Sequence, residues 1–222
     1  MIKTLFAALA AAAIVIPAQA EPIKETDYNT MHSMGCMLLG ECTDDVVKVH
    51  SMLDISSQYD NTEEFTGVTG EFHNMLMSLN RVGVNVFLAD SKYFPKGHRG
   101  VYHTVSNNFF LNKDHMGQPN ILMMVMRHEG WHAAQDCMAG TIDNSLIAII
   151  KPEDDVPMIW RVLAERTYPD SAVPWEAEAQ WAGRTENMTM NALAACARGS
   201  MWTEYEPTPM TREWLQKNNY VD

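Results

Sequence analysis

Positive charge is scarce in this chain of 222 residues: 16 Lys and Arg face 28 Asp and Glu, a formal net charge of −12. That surplus of anions argues against nucleic acid and anionic membrane as partners, because both need a basic surface. It favours solubility. Long apolar runs are scarce too. The only one, Leu5–Ile16, is about a dozen residues, well short of the ~20 that span a bilayer as a helix, so no stable membrane insertion is expected. Internal repeats and low-complexity tracts are missing, which excludes solenoid and fibrous architectures. No Cys-x-x-Cys pair occurs among the four cysteines, which argues against a thiolate-ligated metal site.

The apolar run has a use of its own. Lys3 supplies a short positive region before it, and Ala18-Gln19-Ala20 an A-x-A cleavage site after it. The three together read as a signal peptide over 1–20, cleaved after Ala20, with the mature chain 21–222 exported to the periplasm or the medium as one domain. In an oxidising compartment an even cysteine count reads as disulfides. Cys36 and Cys42 enclose a small loop and are paired here, leaving Cys137 with Cys196.

Hydrophobic periodicity and turn residues divide the rest. Residues 21–35 read as irregular. Helices are expected from residue 43 or 44 to 53, capped by Asp44 or Asp45, and over 62–80, weakened in the middle by Gly67 and Gly70. Residues 84–88, 101–105 and 109–111 read as strands, the last two forming a hairpin around Ser106-Asn107-Asn108. A deeply apolar helix should follow from 119 or 120 to 139, then helices over 158–166 and 173–183, with helical periodicity continuing to Cys196. Residues 199–222 read as a short wrapping segment. Met31, Met34 and Met37 with His32 are compatible with Cu(I), but 17 methionines occur in all, and at this spacing they read as core filling. His50 and His73 each stand alone on their helix and read as structural.

The chemistry concentrates in 123–139, MMVMRHEGWHAAQDCMA. Within it His128, Glu129 and His132 form H-E-x-x-H. Histidines four apart on a helix stand one turn above each other and can present two imidazoles to one zinc ion. Glu129 lies beside them and reaches a water on that ion without being a ligand. The helix is otherwise apolar almost all round, so its polar triad needs partners. A third protein ligand is required, and VPWEAEAQWAG, 173–183, offers Glu176 or Glu178. Glu176 shares a helix face with Gln180, whereas Glu178 points about 160° away; Glu176 is preferred, with Gln180 behind it. Gln135 and Asp136 lie three and four residues after His132, placed to orient an imidazole or to cap the helix surface.

These two stretches carry a resemblance. RHEGWHAAQ is similar to the HExxHxxQ pattern of several small bacterial metallopeptidase-like families, and PWEAEAQWA to the E-x-E-A-[DN]-x-x-A segment that supplies their glutamate ligand. The chain thus resembles zincin-type metallopeptidases of the gluzincin kind over roughly 119–139 and 174–183, with Gln180 standing where such families carry Asp or Asn. The resemblance implies an α+β, zincin-like fold, mostly helical, with a small antiparallel-edged sheet before the HExxH helix. It implies hydrolysis of a peptide or protein substrate at a zinc held by His128, His132 and Glu176, with Glu129 as general base. An oxyanion donor is also expected; Tyr168, then His103 and His115, are the residues in order of position.

Three functions therefore compete: a zinc metallopeptidase, a zincin-fold protein that keeps zinc but acts as an envelope binding or scaffold module, and a Met/His copper carrier. Intact Glu129 favours the first, since a degenerate site loses that residue first. The lack of a marked pro-segment in 21–43 weighs against it.

Overall fold

The computed structural model describes residues 31–222. The signal peptide expected over 1–20 and the stretch 21–30 lie outside the described residues. Residues 31–35, expected to be irregular, instead open helix α1, Met31–Leu38. Met34 and Met37 supply the reason: both are buried against Tyr93, Phe94 and Phe110, a small apolar cluster of its own. They act there as core side chains.

The helix expected from residue 43 or 44 to 53 is corrected. Asp45 takes φ 60° and turns the chain, after which the β-branched pair Val46 and Val47 begins strand β1, Val46–Lys48. Helix α2 starts only at Met52 and ends at Ser56, once Asp54 has accepted the backbone N–H groups of His50 and Ser51 at 2.8 Å each. The single helix expected over 62–80 is divided in two near Gly67. A 3₁₀ turn, Thr62–Val68, precedes α3, Thr69–Arg81.

Strand β2, Asn85–Ala89, pairs antiparallel with β1 and parallel with β4, Asn108–Asn112. Strand β3, Gly100–His103, forms the expected hairpin with β4, Val101 opposite Phe110. The sheet order is β1-β2-β4-β3, a mixed sheet whose two edge strands are both antiparallel. With the surrounding helices this is an α+β chain.

Helix α4, Pro119–Met138, runs through the middle of the molecule. Its apolar residues Leu122, Met123, Met126, Ala133 and Ala134 join Phe72, Leu79, Val86 and Phe109 in the main core. Around it lie α5, Met158–Thr167, α6, Val173–Ala182, and α7, Met188–Ala197. The periodicity that continues to Cys196 thus belongs to two helices, parted where Asn187 takes φ 62°. Two disulfides are formed, Cys36–Cys42 and Cys137–Cys196, the second tying the end of α4 to α7.

The wrapping segment contains α8, Met201–Glu204, and α9, Pro209–Lys217. It serves the end of α4. The indoles of Trp202 and Trp214 donate to the carbonyls of Met138 and Ala139 at 3.1 and 2.7 Å, satisfying acceptors that a helix terminus leaves open. No helix among the described residues is long and apolar enough to cross a membrane.

Candidate metal centre

His128 and His132 stand one turn apart on α4, their ring centroids 4.9 Å apart and their planes at 88°. Opposite them, Glu176 projects from the first turn of α6. Its Oε2 lies 3.3 Å from His128 Nε2 and 3.7 Å from His132 Nε2. Two ligands about 2.1 Å from a tetrahedral ion stand about 3.4 Å apart, so these separations match the edges of a zinc tetrahedron. A second observation agrees: Glu176 Oε2 is buried and has no hydrogen-bond partner among the described residues. Among those residues, His128, His132 and Glu176 form the one group of three such side chains able to share an ion. Two imidazole nitrogens and a carboxylate oxygen are a fitting donor set for zinc and for neighbouring divalent metals.

Close backbone approach assembles this geometry. A Cβ on Gly183, at the end of α6, would lie 3.1 Å from the Met124 carbonyl and 3.4 Å from His128 Cβ. A Cβ on Gly130, inside the motif, would meet Thr189 Cγ2 of α7 at 2.9 Å. Arg127 leaves the site for a paired contact with Glu71 of α3, at 2.6 Å to each carboxylate oxygen.

Charge in the site is strongly coupled. Burial opposes ionisation of Glu176, but the two imidazoles outweigh it and hold its carboxyl well below the usual carboxylate range. Burial likewise disfavours the His132 imidazolium, yet Glu176, with Glu129 and Gln135, pushes its pKa up to about 9. Glu129 is itself raised by burial, against the pull of both histidines and of the Tyr102 N–H. That N–H donates to Glu129 Oε2 at 3.0 Å, so the edge strand β3 fixes one oxygen of the carboxylate.

Behind His132 lies a network that spacing alone only half disclosed. Gln135 Oε1 is 2.8 Å from His132 Nδ1, and Gln135 Nε2 donates to Glu178 Oε2 at 2.7 Å. Glu178 is fully buried. It also accepts from Trp131 Nε1 at 3.0 Å and from the Ile150 N–H at 2.9 Å, with Lys151 N–H beside it. Burial raises the Glu178 pKa, and these donors offset part of that rise. Asp136 does not orient a histidine. Its Oδ2 accepts from the Tyr102 hydroxyl at 2.9 Å.

Beside the three atoms lies a cleft of about 630 Å³ that His128, Glu129, Tyr168 and Gln180 line together. Tyr168, just past α5, faces Glu176, Glu129 and Gln180; burial, then those two carboxylates, raise its pKa and keep the hydroxyl a donor. Gln180 thus meets Tyr168 and also accepts from Arg184 at 3.1 Å. His103 and His115 do not line this cleft, and His103 instead bonds Ser106 Oγ at 2.8 Å. His50 and His73 are exposed and lie outside the group. The sequence reading missed the Tyr102 N–H, because a backbone donor leaves no residue-type signal. Trp131 was visible only as an aromatic in the motif, and Glu178 only as the alternative third ligand, a place that the structure gives to Glu176.

Compared with known proteins, the chain matches no family model, no curated sequence and no solved structure.

Proposed function

We propose that the chain is an exported zinc metallopeptidase whose ligands are His128, His132 and Glu176. The observation that carries this reading is the convergence of two Nε2 atoms and the orphaned Glu176 Oε2 at tetrahedral spacing, with Glu129 beside them in an open cleft. Zinc so bound supplies Lewis acidity, making water a nucleophile near neutral pH and polarising a carbonyl.

The chain's own residues account for the rest. Glu129, with one oxygen held by the Tyr102 N–H, takes the proton of the attacking water at its other oxygen. As the C–O bond forms and the C–N bond breaks, Glu129 returns that proton to the leaving amine nitrogen. Tyr168 donates its hydroxyl hydrogen bond to the carbonyl oxygen as charge grows on it. Gln135 holds the Nδ1 side of His132, so that Nε2 presents its lone pair. The run before Ala20 and the two disulfides support an oxidising destination outside the cytosol.

The test pairs metal analysis with an assay. Purified chain should carry about one zinc, and a mixed peptide library should be cleaved by the wild type. Glu129→Gln should keep the zinc and lose the cleavage. A chain that takes up no zinc removes the site. Zinc uptake without any hydrolysis transfers the protein to the binding-module reading.

A further inference from the structure

Five arginines and lysines among the described residues are neutralised in ion pairs. Arg127, Arg161, Arg198 and Arg212 each meet a glutamate, and Lys92 meets Asp45. Nine others form no ion pair with a carboxylate among the described residues: six lie elsewhere, Lys48, Arg81, Lys113, Lys151, Arg166 and Lys217, and the remaining three are Lys96, Arg99 and Arg184. All three line the cleft of the metal centre, with His98 between the first two. In a chain with 28 acidic residues against 16 basic ones, the only carboxylate lining that cleft beside them is Glu129.

Two glycines bring the arginines, from different elements, to the same helix. Gly100 opens β3 so close to α4 that a Cβ there would lie 2.8 Å from Val125 Cγ1 and 3.1 Å from Glu129 Cγ; Arg99 is the residue before it. Gly183 rests against His128 Cβ, at 3.4 Å for the same construction; Arg184 is the residue after it. Each arginine is therefore one residue from a backbone contact with the H-E-x-x-H helix. Arg184 is also held in direction, donating to Gln180 Oε1 at 3.1 Å and lying over the Trp160 ring at 5.1 Å. Lys96, His98 and Arg99 are exposed on the loop that feeds β3.

Unpaired guanidinium and ammonium groups lining one cleft select an anionic ligand, and planar guanidinium matches carboxylate. We infer that the cleft takes peptides bearing a carboxylate next to the scissile bond, supplied by an Asp or Glu side chain or by the peptide's own C terminus. The inference rests on the peptidase reading and names its substrate class.

Binding tests it separately from catalysis. Zinc-loaded Glu129→Gln protein is titrated by fluorescence polarisation with labelled peptides of one length. Glu, Gln or Lys flanks the central bond, and each peptide is made with a free and an amidated C terminus. The Glu peptide should bind about tenfold tighter than its Gln isostere if side chains are read. Free ends should bind that much tighter than amides if the terminus is read. Either preference should shrink as salt rises. It should disappear when Lys96→Gln and Arg99→Gln are combined with Arg184→Gln, with zinc content unchanged. Equal dissociation constants across the whole series, no measurable binding, or a preference that survives in that variant overturns the inference. Wild-type hydrolysis of the same peptides is read alongside. Preference without hydrolysis removes the peptidase reading and keeps the carboxylate recognition. Hydrolysis without preference does the reverse.

Discussion

Gln135 stands between His132 and Glu178 as a two-ended connector, its oxygen 2.8 Å from the imidazole Nδ1 and its nitrogen 2.7 Å from the carboxylate. Because Glu178 accepts from the amide nitrogen, the amide cannot turn round. Its oxygen must face Nδ1, which therefore carries the proton and leaves Nε2 for the metal. A buried carboxylate on α6 thus sets the tautomer of His132, a ligand of the proposed metal site on α4. Glu178 looks from sequence like a competing ligand, but it works one step behind the site.

Gln135→Ala should accordingly lower zinc affinity by about 10–100-fold, the usual cost of losing such a support. Chelator competition on the folded variant reads this directly. Affinity equal to wild type would show that His132 is oriented by packing alone.

Tyr168→Phe removes a hydroxyl that faces both Glu176 and Gln180 from the cleft wall. We expect kcat to fall by about 10²-fold with zinc content unchanged, as for other oxyanion donors. A variant that turns over at the wild-type rate would exclude Tyr168 from that role.

Asp136 gives a pH signature one helical turn beyond His132. Burial pushes its pKa up to about 7 from an ordinary 3.8, although the Tyr102 hydroxyl bond pulls the other way. The folded state therefore holds a proton that the unfolded state releases between those two values. With more protons bound when folded, this residue's contribution to stability is fully present below about pH 4 and is lost as pH rises through about 7. Asp136→Asn keeps an acceptor for Tyr102 and cannot ionise. The stability difference, variant minus wild type, should grow from pH 4 to 7 and then level off. Denaturant melts at several pH values would show it, and a flat difference would refute it.

The Cys137–Cys196 bridge closes a separation of 59 residues across the end of α4 and α7. On chain-entropy grounds its loss costs ~4 kcal/mol. Replacing both cysteines by serine should lower the unfolding midpoint accordingly. Zinc affinity of the folded variant should stay, since Met138 and Ala139 keep their indole donors. A drop in affinity matching the drop in stability would show that the bridge holds the site itself.

What the sequence by itself determined is local. Histidine spacing on a helix, strand alternation around 101–111, the boundaries of α4 and α6, and the small-loop pairing of Cys36 with Cys42 depend on periods of a few residues, and these are visible in a string. Where local propensity was ambiguous, tertiary structure decided. Val46 and Val47 joined a strand because β2 offered an open edge, and Met34 and Met37 held α1 together by burial against Phe94 and Phe110. The site divides in the same way. His128, Glu129 and His132 are one turn of one helix, and helical phase already separated Glu176 from Glu178. That Glu176 Oε2 lies 3.3 Å from His128 Nε2, and that Arg99 and Arg184 line one cleft beside the same helix, depends on close backbone approach at Gly100 and Gly183. Such approach is a property of how helices and strands pack across dozens of intervening residues. No spacing within H-E-x-x-H contains it.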